Sequence, residues 1–277
     1  MMNHIQNKPE RIFKYENTSI YSLLNLKSGV IYFNKPANFN DPFDCQFNSK
    51  IEVSDDELIE YVKNLEDKIP FSDNLKMDIK KLPNSALRIK FEEIANNVLI
   101  EAQRKLREDG GMACFSEVNN NLLMWAHYGS SYKGFCLEFD TQFEMFDKIR
   151  PVQYSSSTPK FKLSSLLNST NSEVDKDEEV YKLWGTKSEY WAYEKEWRIP
   201  HKHFGTKYRY PQEALKAIYF GPMIDLQYRE ILCLLVQGQN RGVKFYEGRI
   251  SNDEFKIQFV EFQYTPYIIA KEQGLIK

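Results

Sequence analysis

The run from Ala113 to Asp140, ACFSEVNNNLLMWAHYGSSYKGFCLEFD, constrains the fold more than any other stretch of the chain. Ala113 to Ser116 reads as a short strand, and Asn119 to Asn121 offer helix N-caps. Leu122 to Tyr128 make one or two helical turns, and Gly134 opens a strand ending at Asp140. Reactive residue types sit between these elements, which is the pattern of a site in a cleft.

Similar signals extend in both directions. Arg11 to Tyr15 predicts a first strand. Thr18 or Ser19 caps a short helix through Lys27, Gly29 ends it, and Val30 to Phe33 predicts a second strand. Asn40 to Asp44, N-D-P-F-D, is a fixed turn, since Pro42 removes a donor and biases Asp41 toward extended geometry. Ser54 and Glu57 form a capping box. From Ser85 to Arg107, Leu87, Phe91, Ile94, Val98, Ala102 and Leu106 recur at helical spacing until Gly110-Gly111. A helical pattern is also expected from Asp175 to Tyr193, then a strand over Glu194 to Ile199. Strands at 216–220, 243–246 and 256–264, with a helix at 226–236, complete the pattern. The fold class expected is α+β: one domain over 1–277 with a mostly antiparallel (split) β-sheet core. It carries an inserted helical subdomain at 51–110 and a flexible serine-rich loop at 155–175.

At 277 residues the chain can bury a core without staples. Cys45, Cys114, Cys136 and Cys233 form no C-x-x-C pair, which fits a reducing cytoplasm better than a secreted disulfide framework. Met1 to Arg11 lacks the apolar core of a signal peptide, and no run approaches the roughly 18 apolar residues of a membrane span. A net charge of -2, from 37 basic and 39 acidic residues, gives no general nucleic-acid footprint.

Three groups of residues can carry chemistry. In E-K-E-W-R, period-two geometry puts Glu194, Glu196 and Arg198 on one strand face, where the guanidinium can hold one carboxylate ionised while the other engages a sugar hydroxyl or a developing cation. His127 can serve as acid, base or phosphate donor. His201 and His203 form an H-x-H at a strand end, a spacing that suits a metal only with further ligands, and no metal is expected. Ser116 lacks a G-x-S-x-G elbow and is read as a binding hydroxyl. Walker A, G-x-G-x-x-G, H-E-x-x-H and EF-hand patterns are absent.

Taken in order, K-Y with Y-F-N-K-P-A-N-F-N-D-P-F-D, then C-F-S, L-M-W-A-H-Y-G, K-G-F-C-L-E-F and Y-E-K-E-W-R-I resemble an uncharacterised bacterial family, domain-of-unknown-function family twenty-nine seventy-one. A looser resemblance is to ADP-ribosyltransferases, whose strands present a basic or aromatic residue, then a hydroxyl, then glutamate. That resemblance implies NAD as substrate, Arg11 or Tyr15 in the first role, Ser116 in the second and Glu196 as the catalytic glutamate, with Glu194 orienting the acceptor. It further implies Tyr15, Trp125 or Tyr128 stacking on nicotinamide and Arg198 or His127 meeting the pyrophosphate; Asn40 is added as a binding residue from its loop. C-F-S replaces the usual S-T-S, W-R follows the glutamates, and the N-D-P-F-D loop has no counterpart.

Three functions are therefore expected in turn. The first is an NAD-using transferase or glycohydrolase, as in phage-defence or toxin effectors, acting on an unidentified macromolecular acceptor. The second is a noncatalytic module sensing a small-molecule nucleotide or other ligand. The third, a metal-dependent nuclease or hydrolase, needs Asp41, Asp44, Glu196 or His201 to converge on an ion.

Overall fold

A computed structural model describes residues 8–47, 54, 56, 81–160 and 181–275. In chain order it carries β1 (Arg11–Glu16), α1 (Ile20–Ser28), β2 (Val30–Tyr32), α2 (Asn84–Glu108), β3 (Gly111–Ser116), α3 (Leu122–His127), β4 (Phe135–Asp140), β5 (Arg150–Pro151) and β6 (Gln153–Ser155). There follow β7 (Thr186–Ser188), β8 (Glu196–His201), β9 (Lys207–Arg209), β10 (Leu215–Phe220), α4 (Leu226–Gln237), β11 (Lys244–Ile250), β12 (Ile257–Phe262) and α5 (Tyr267–Glu272). Glu57 of the expected Ser54–Glu57 capping box and most of the serine-rich segment lie outside the described residues. The fold is α+β, as the sequence patterns require, with a mostly antiparallel sheet.

Local signals account for the element ends. The Ser19 hydroxyl accepts from the Ser22 amide at the start of α1, and Gly29 closes that helix at φ 60, a left-handed position that suits glycine. Asn121 caps α3 by accepting from the amides of Leu123 and Met124, at 2.8 and 3.2 Å.

The chain divides into two units, one of Met1–Asn34, Gly111–Val152 and Tyr190–Lys277, the other of Lys35–Gly110 and Gln153–Glu189. The first unit holds an eight-stranded sheet in the order β12-β11-β10-β4-β1-β3-β8-β5. Of its neighbouring pairs, β10 and β11 run parallel and are joined through α4; the rest are antiparallel. One sheet face puts Ile12, Phe135, Phe139, Ile218 and Phe220 into the main core with Leu26 of α1 and Leu232, Cys233 and Val236 of α4. By register, the opposite face carries Arg11, Phe13 and Tyr15 of β1, Cys114 and Ser116 of β3, Cys136 and Glu138 of β4, and Glu196 and Arg198 of β8. Part of that face is covered by Trp125 of α3, which packs with Cys136, Tyr219 and Ile257.

In the second unit, the N-D-P-F-D segment is the tight turn its proline suggests. The Asp44 amide donates to the Asp41 carbonyl, and the Phe43 amide to the Asp41 carboxylate at 2.9 Å. Lys187 lies 3.7 Å from the buried Asp44 carboxylate, and the Arg107 guanidinium of α2 donates to the Pro42 carbonyl at 3.0 Å. Residues 181–185 are helical, but the helix expected to run on to Tyr193 stops there. Thr186–Ser188 instead pairs with β6, and Glu189–Glu194 forms a 3-10 turn. Gly185 permits this ending, because a Cβ there would lie 2.6 Å from the Tyr181 ring. Among the described residues no helix is long and apolar enough to cross a membrane.

Candidate functional site

The 3-10 turn Glu189–Glu194 delivers the acidic motif, and the backbone then breaks the alternation expected of E-K-E. Lys195 sits at φ 44, a left-handed conformation uncommon for lysine, and β8 starts only at Glu196. Glu196 and Arg198 therefore share a sheet face as the sequence predicts, whereas Glu194 is turned out of the strand. Such strain persists only where the surroundings fix it. Here the Lys195 carbonyl accepts from the Glu117 amide, and the Lys195 amide donates to Ala192.

Glu194 is 2% exposed and is held from both ends. The Tyr128 hydroxyl, just past α3, donates to its carboxylate at 2.5 Å. The Ser116 hydroxyl donates to its carbonyl at 2.5 Å and accepts from the Val118 amide at 3.1 Å. Ser116 is thus a buried clamp between β3 and the turn. Asn121 adds a long contact from its amide to the Tyr193 carbonyl at 3.5 Å.

Glu196 forms a two-pronged ion pair with Arg198, Nε to Oε1 at 2.8 Å and Nη2 to Oε2 at 2.9 Å. Arg198 has no exposed surface, and Glu196 is 6% exposed. Both carboxylate oxygens meet the guanidinium, a charge-assisted pair in a low-dielectric setting. Cys114 stands opposite Arg198 in the ladder. Burial, reinforced by the Glu196 carboxylate, pushes its thiol well above the ordinary range, so the reactive thiolate is disfavoured.

The turn and the end of α3 bring together an aromatic cluster. Ring centroids of His127 and Trp191 are 5.9 Å apart, those of Trp191 and Tyr193 6.0 Å, and those of His127 and Tyr193 6.4 Å; Tyr128 is 6.3 Å from His127. His127 is exposed, Trp191 and Tyr193 are half-buried, and Tyr190 is largely in solvent. Tyr128 ties the rings to Glu194 below. Faces of this kind stack on planar ligands, and His127 can add a donor.

The remaining candidates fall elsewhere. Arg11 shares the sheet face of Ser116 and Glu196, but its guanidinium donates to Glu138 at 2.6 Å. The Tyr219 hydroxyl reaches the other Glu138 oxygen at 2.6 Å, a network the sequence did not signal. Tyr15 packs edge-on against Trp125 at 5.2 Å and donates its hydroxyl to the Val118 carbonyl. Trp125 is wholly buried, its indole donating to the Asn119 carbonyl at 2.7 Å, so it packs in the interior and not on a ligand. Asn40, with Asp41 and Asp44, belongs to the second unit. The Nδ1 atom of His201 lies within hydrogen-bond distance of His203 and Thr206 in its own turn. Among the described residues no group of three or more His, Cys, Asp or Glu side chains is arranged to hold a metal.

Trp191 and Tyr193 joined the site without being singled out for it. Their signal was present in Y-W-A-Y, four residues with three aromatics directly before E-K-E. The helical spacing read through Trp191 masked it.

No curated protein and no solved structure matches the chain. Residues 124–199, which run from within α3 through the aromatic turn to the Glu196–Arg198 pair, match the family described as Protein of unknown function (DUF2971), to which the sequence motifs point.

Proposed function

We propose that the protein is a cytoplasmic nucleotide-binding module whose ligand, NAD in the first instance, stacks on the His127, Trp191 and Tyr193 rings. The observation that carries this reading is the division of labour in the site. The acidic and hydroxyl groups are buried and hydrogen-bonded, while His127 is exposed and Trp191 and Tyr193 are half-buried. Ser116 and Tyr128 hold the turn that carries Trp191 and Tyr193 through Glu194, and Glu196 is matched by Arg198. A planar base gains stacking from such a cluster, and His127 supplies a donor to a phosphate oxygen.

Trp191 reports on this directly, because Trp125, Trp184 and Trp197 are all buried. Titration with NAD should quench its fluorescence, and Trp191→Phe should remove the signal. Base stacking contributes roughly 1–3 kcal/mol, so Trp191→Ala should weaken binding by about fivefold or more. Binding unchanged by Trp191→Ala would reject the platform.

A second reading, the NAD-using ADP-ribosyltransferase or glycohydrolase, is favoured by one specific relationship. Arg11, Ser116 and Glu196 come from three adjacent strands and one sheet face, with Ser116 directly opposite Glu196. In that reading Glu196 stabilises the oxocarbenium-like transition state once a ligand draws it from Arg198, and Glu194 orients the acceptor. Release of nicotinamide by the wild type, lost in a Glu196→Gln protein of normal melting behaviour, would establish it over the binding module.

A further inference from the structure

Lys195 stands at a backbone position that its own side chain disfavours. It adopts φ 44 and is exposed, whereas Gly29, Gly205 and Gly274 take the same left-handed conformation without the cost of a Cβ. The other described residues that adopt it without being glycine are Cys45 and the run Ser130, Ser131 and Tyr132, at φ 50, 52 and 68, that follows α3; Lys195 alone is charged. Nothing in the packing asks for a long side chain there, since it lies in solvent.

Its backbone is fixed against the ring cluster. The Lys195 amide donates at 3.3 Å to the carbonyl of Ala192, the residue between Trp191 and Tyr193, and its carbonyl accepts from the Glu117 amide at 3.1 Å, just past β3. The carboxylates on either side are buried and engaged, Glu194 by the Tyr128 hydroxyl and Glu196 by the Arg198 guanidinium. Arg198 itself has no exposed surface, so it cannot meet a ligand in solvent as this turn stands. Among the described residues the Lys195 ammonium has neither an ion-pair nor a hydrogen-bond partner.

We propose that Lys195 is the phosphate contact of the ring platform, so that the site takes nucleotides carrying a phosphate or pyrophosphate in preference to uncharged nucleosides. The inference rests on the nucleotide-binding reading above and gives Lys195 the role that the sequence suggested for Arg198. Its flexible four-carbon stem starts two residues from Tyr193 and four from Trp191, which brings the ammonium within reach of a phosphate attached to a base stacked on either ring. A charge-assisted bond to a phosphate oxygen is stronger than a neutral one, and a backbone already held at two points lowers the ordering cost of making it.

Calorimetric titration of the full chain with NAD and with adenosine, a stacking ligand without charge, tests this. The wild type should bind NAD more tightly than adenosine, by a margin that narrows as salt is added. Lys195→Gly should weaken NAD binding by about fivefold or more and flatten its salt dependence while leaving adenosine affinity unchanged, and Lys195→Arg should retain most of the margin. Because glycine suits the left-handed backbone, Lys195→Gly should melt no lower than the wild type, which separates a lost contact from a damaged fold. A Lys195→Gly protein that keeps the NAD margin and its salt dependence overturns the role of Lys195 and leaves the platform standing. A loss that falls equally on NAD and adenosine overturns it too, since that is what a merely structural role would give. Binding of neither ligand by the wild type overturns the platform and this inference together.

Discussion

Ser116 stands directly opposite Glu196 across the β3–β8 ladder, yet its hydroxyl donates to the backbone carbonyl of Glu194 and not to either carboxylate. The strained Lys195 makes this possible by turning the Glu194 carbonyl back over β3. Ser116 therefore acts on the shape of the acidic turn.

Ser116→Ala should destabilise the protein by about 1–3 kcal/mol, because it leaves the half-buried Val118 amide and the Glu194 carbonyl without that partner. Urea titration measures the loss. A change below about 0.5 kcal/mol would mean that water replaces the hydroxyl without penalty.

Glu196 and Arg198 should behave as a unit. Glu196→Leu or Arg198→Met alone breaks a buried two-pronged ion pair and should cost about 3–5 kcal/mol, whereas the double substitution should cost less than the sum. A double-mutant cycle in urea decides the matter, and additive losses would contradict coupling between the two.

Most of this framework was legible in the sequence wherever the signal was local. Ser19, Gly29 and Asn121 announce helix ends through side-chain or backbone chemistry that tertiary contacts do not override. The placement of Trp125 was not legible, since hydropathy and spacing allow a tryptophan on a short helix to face either way and packing against Tyr15 and Phe259 decides. Nor was the direction of Glu194. Period-two counting assumes an unbroken strand, and one left-handed residue at 195 invalidates it. The Arg11–Glu138 pair was not legible either, since the two are distant in sequence and meet only through the β1–β4 register.

Gly221→Ala tests the strained turn. A Cβ at Gly221 would lie 2.2 Å from the Tyr132 carbonyl oxygen, a backbone atom with little room to move. The substitution should cost about 3 kcal/mol or more, read as a lowered melting temperature with loss of near-ultraviolet circular dichroism. A variant that melts like wild type would show that the left-handed run yields easily.

Alkaline pH should weaken the fold. Burial holds Cys233 up to about 12 and raises the Cys114 and Cys136 thiols well above their ordinary 9.0. Burial likewise raises the Tyr15 and Tyr210 hydroxyls above 10.0, and Tyr219 is raised by burial and by its bond to Glu138. In the unfolded chain these groups ionise near pH 9 and 10 while the native state retains their protons. Stability is therefore fully present below pH 9 and falls as pH rises beyond it, by up to about 1.4 kcal/mol per unit for each group. Denaturant midpoints measured from pH 7 to 11 should decline above pH 9. A flat profile would contradict the protonation of the buried thiols and phenols.

Calorimetric titration of NAD into the wild type, Glu196→Gln and Trp191→Ala with Tyr193→Ala tests the central claim most directly. A ring platform predicts binding by the wild type, near-equal affinity in Glu196→Gln, and a loss of tenfold or more in the double aromatic variant. Absence of binding by the wild type, or affinity that survives removal of both rings, would contradict it.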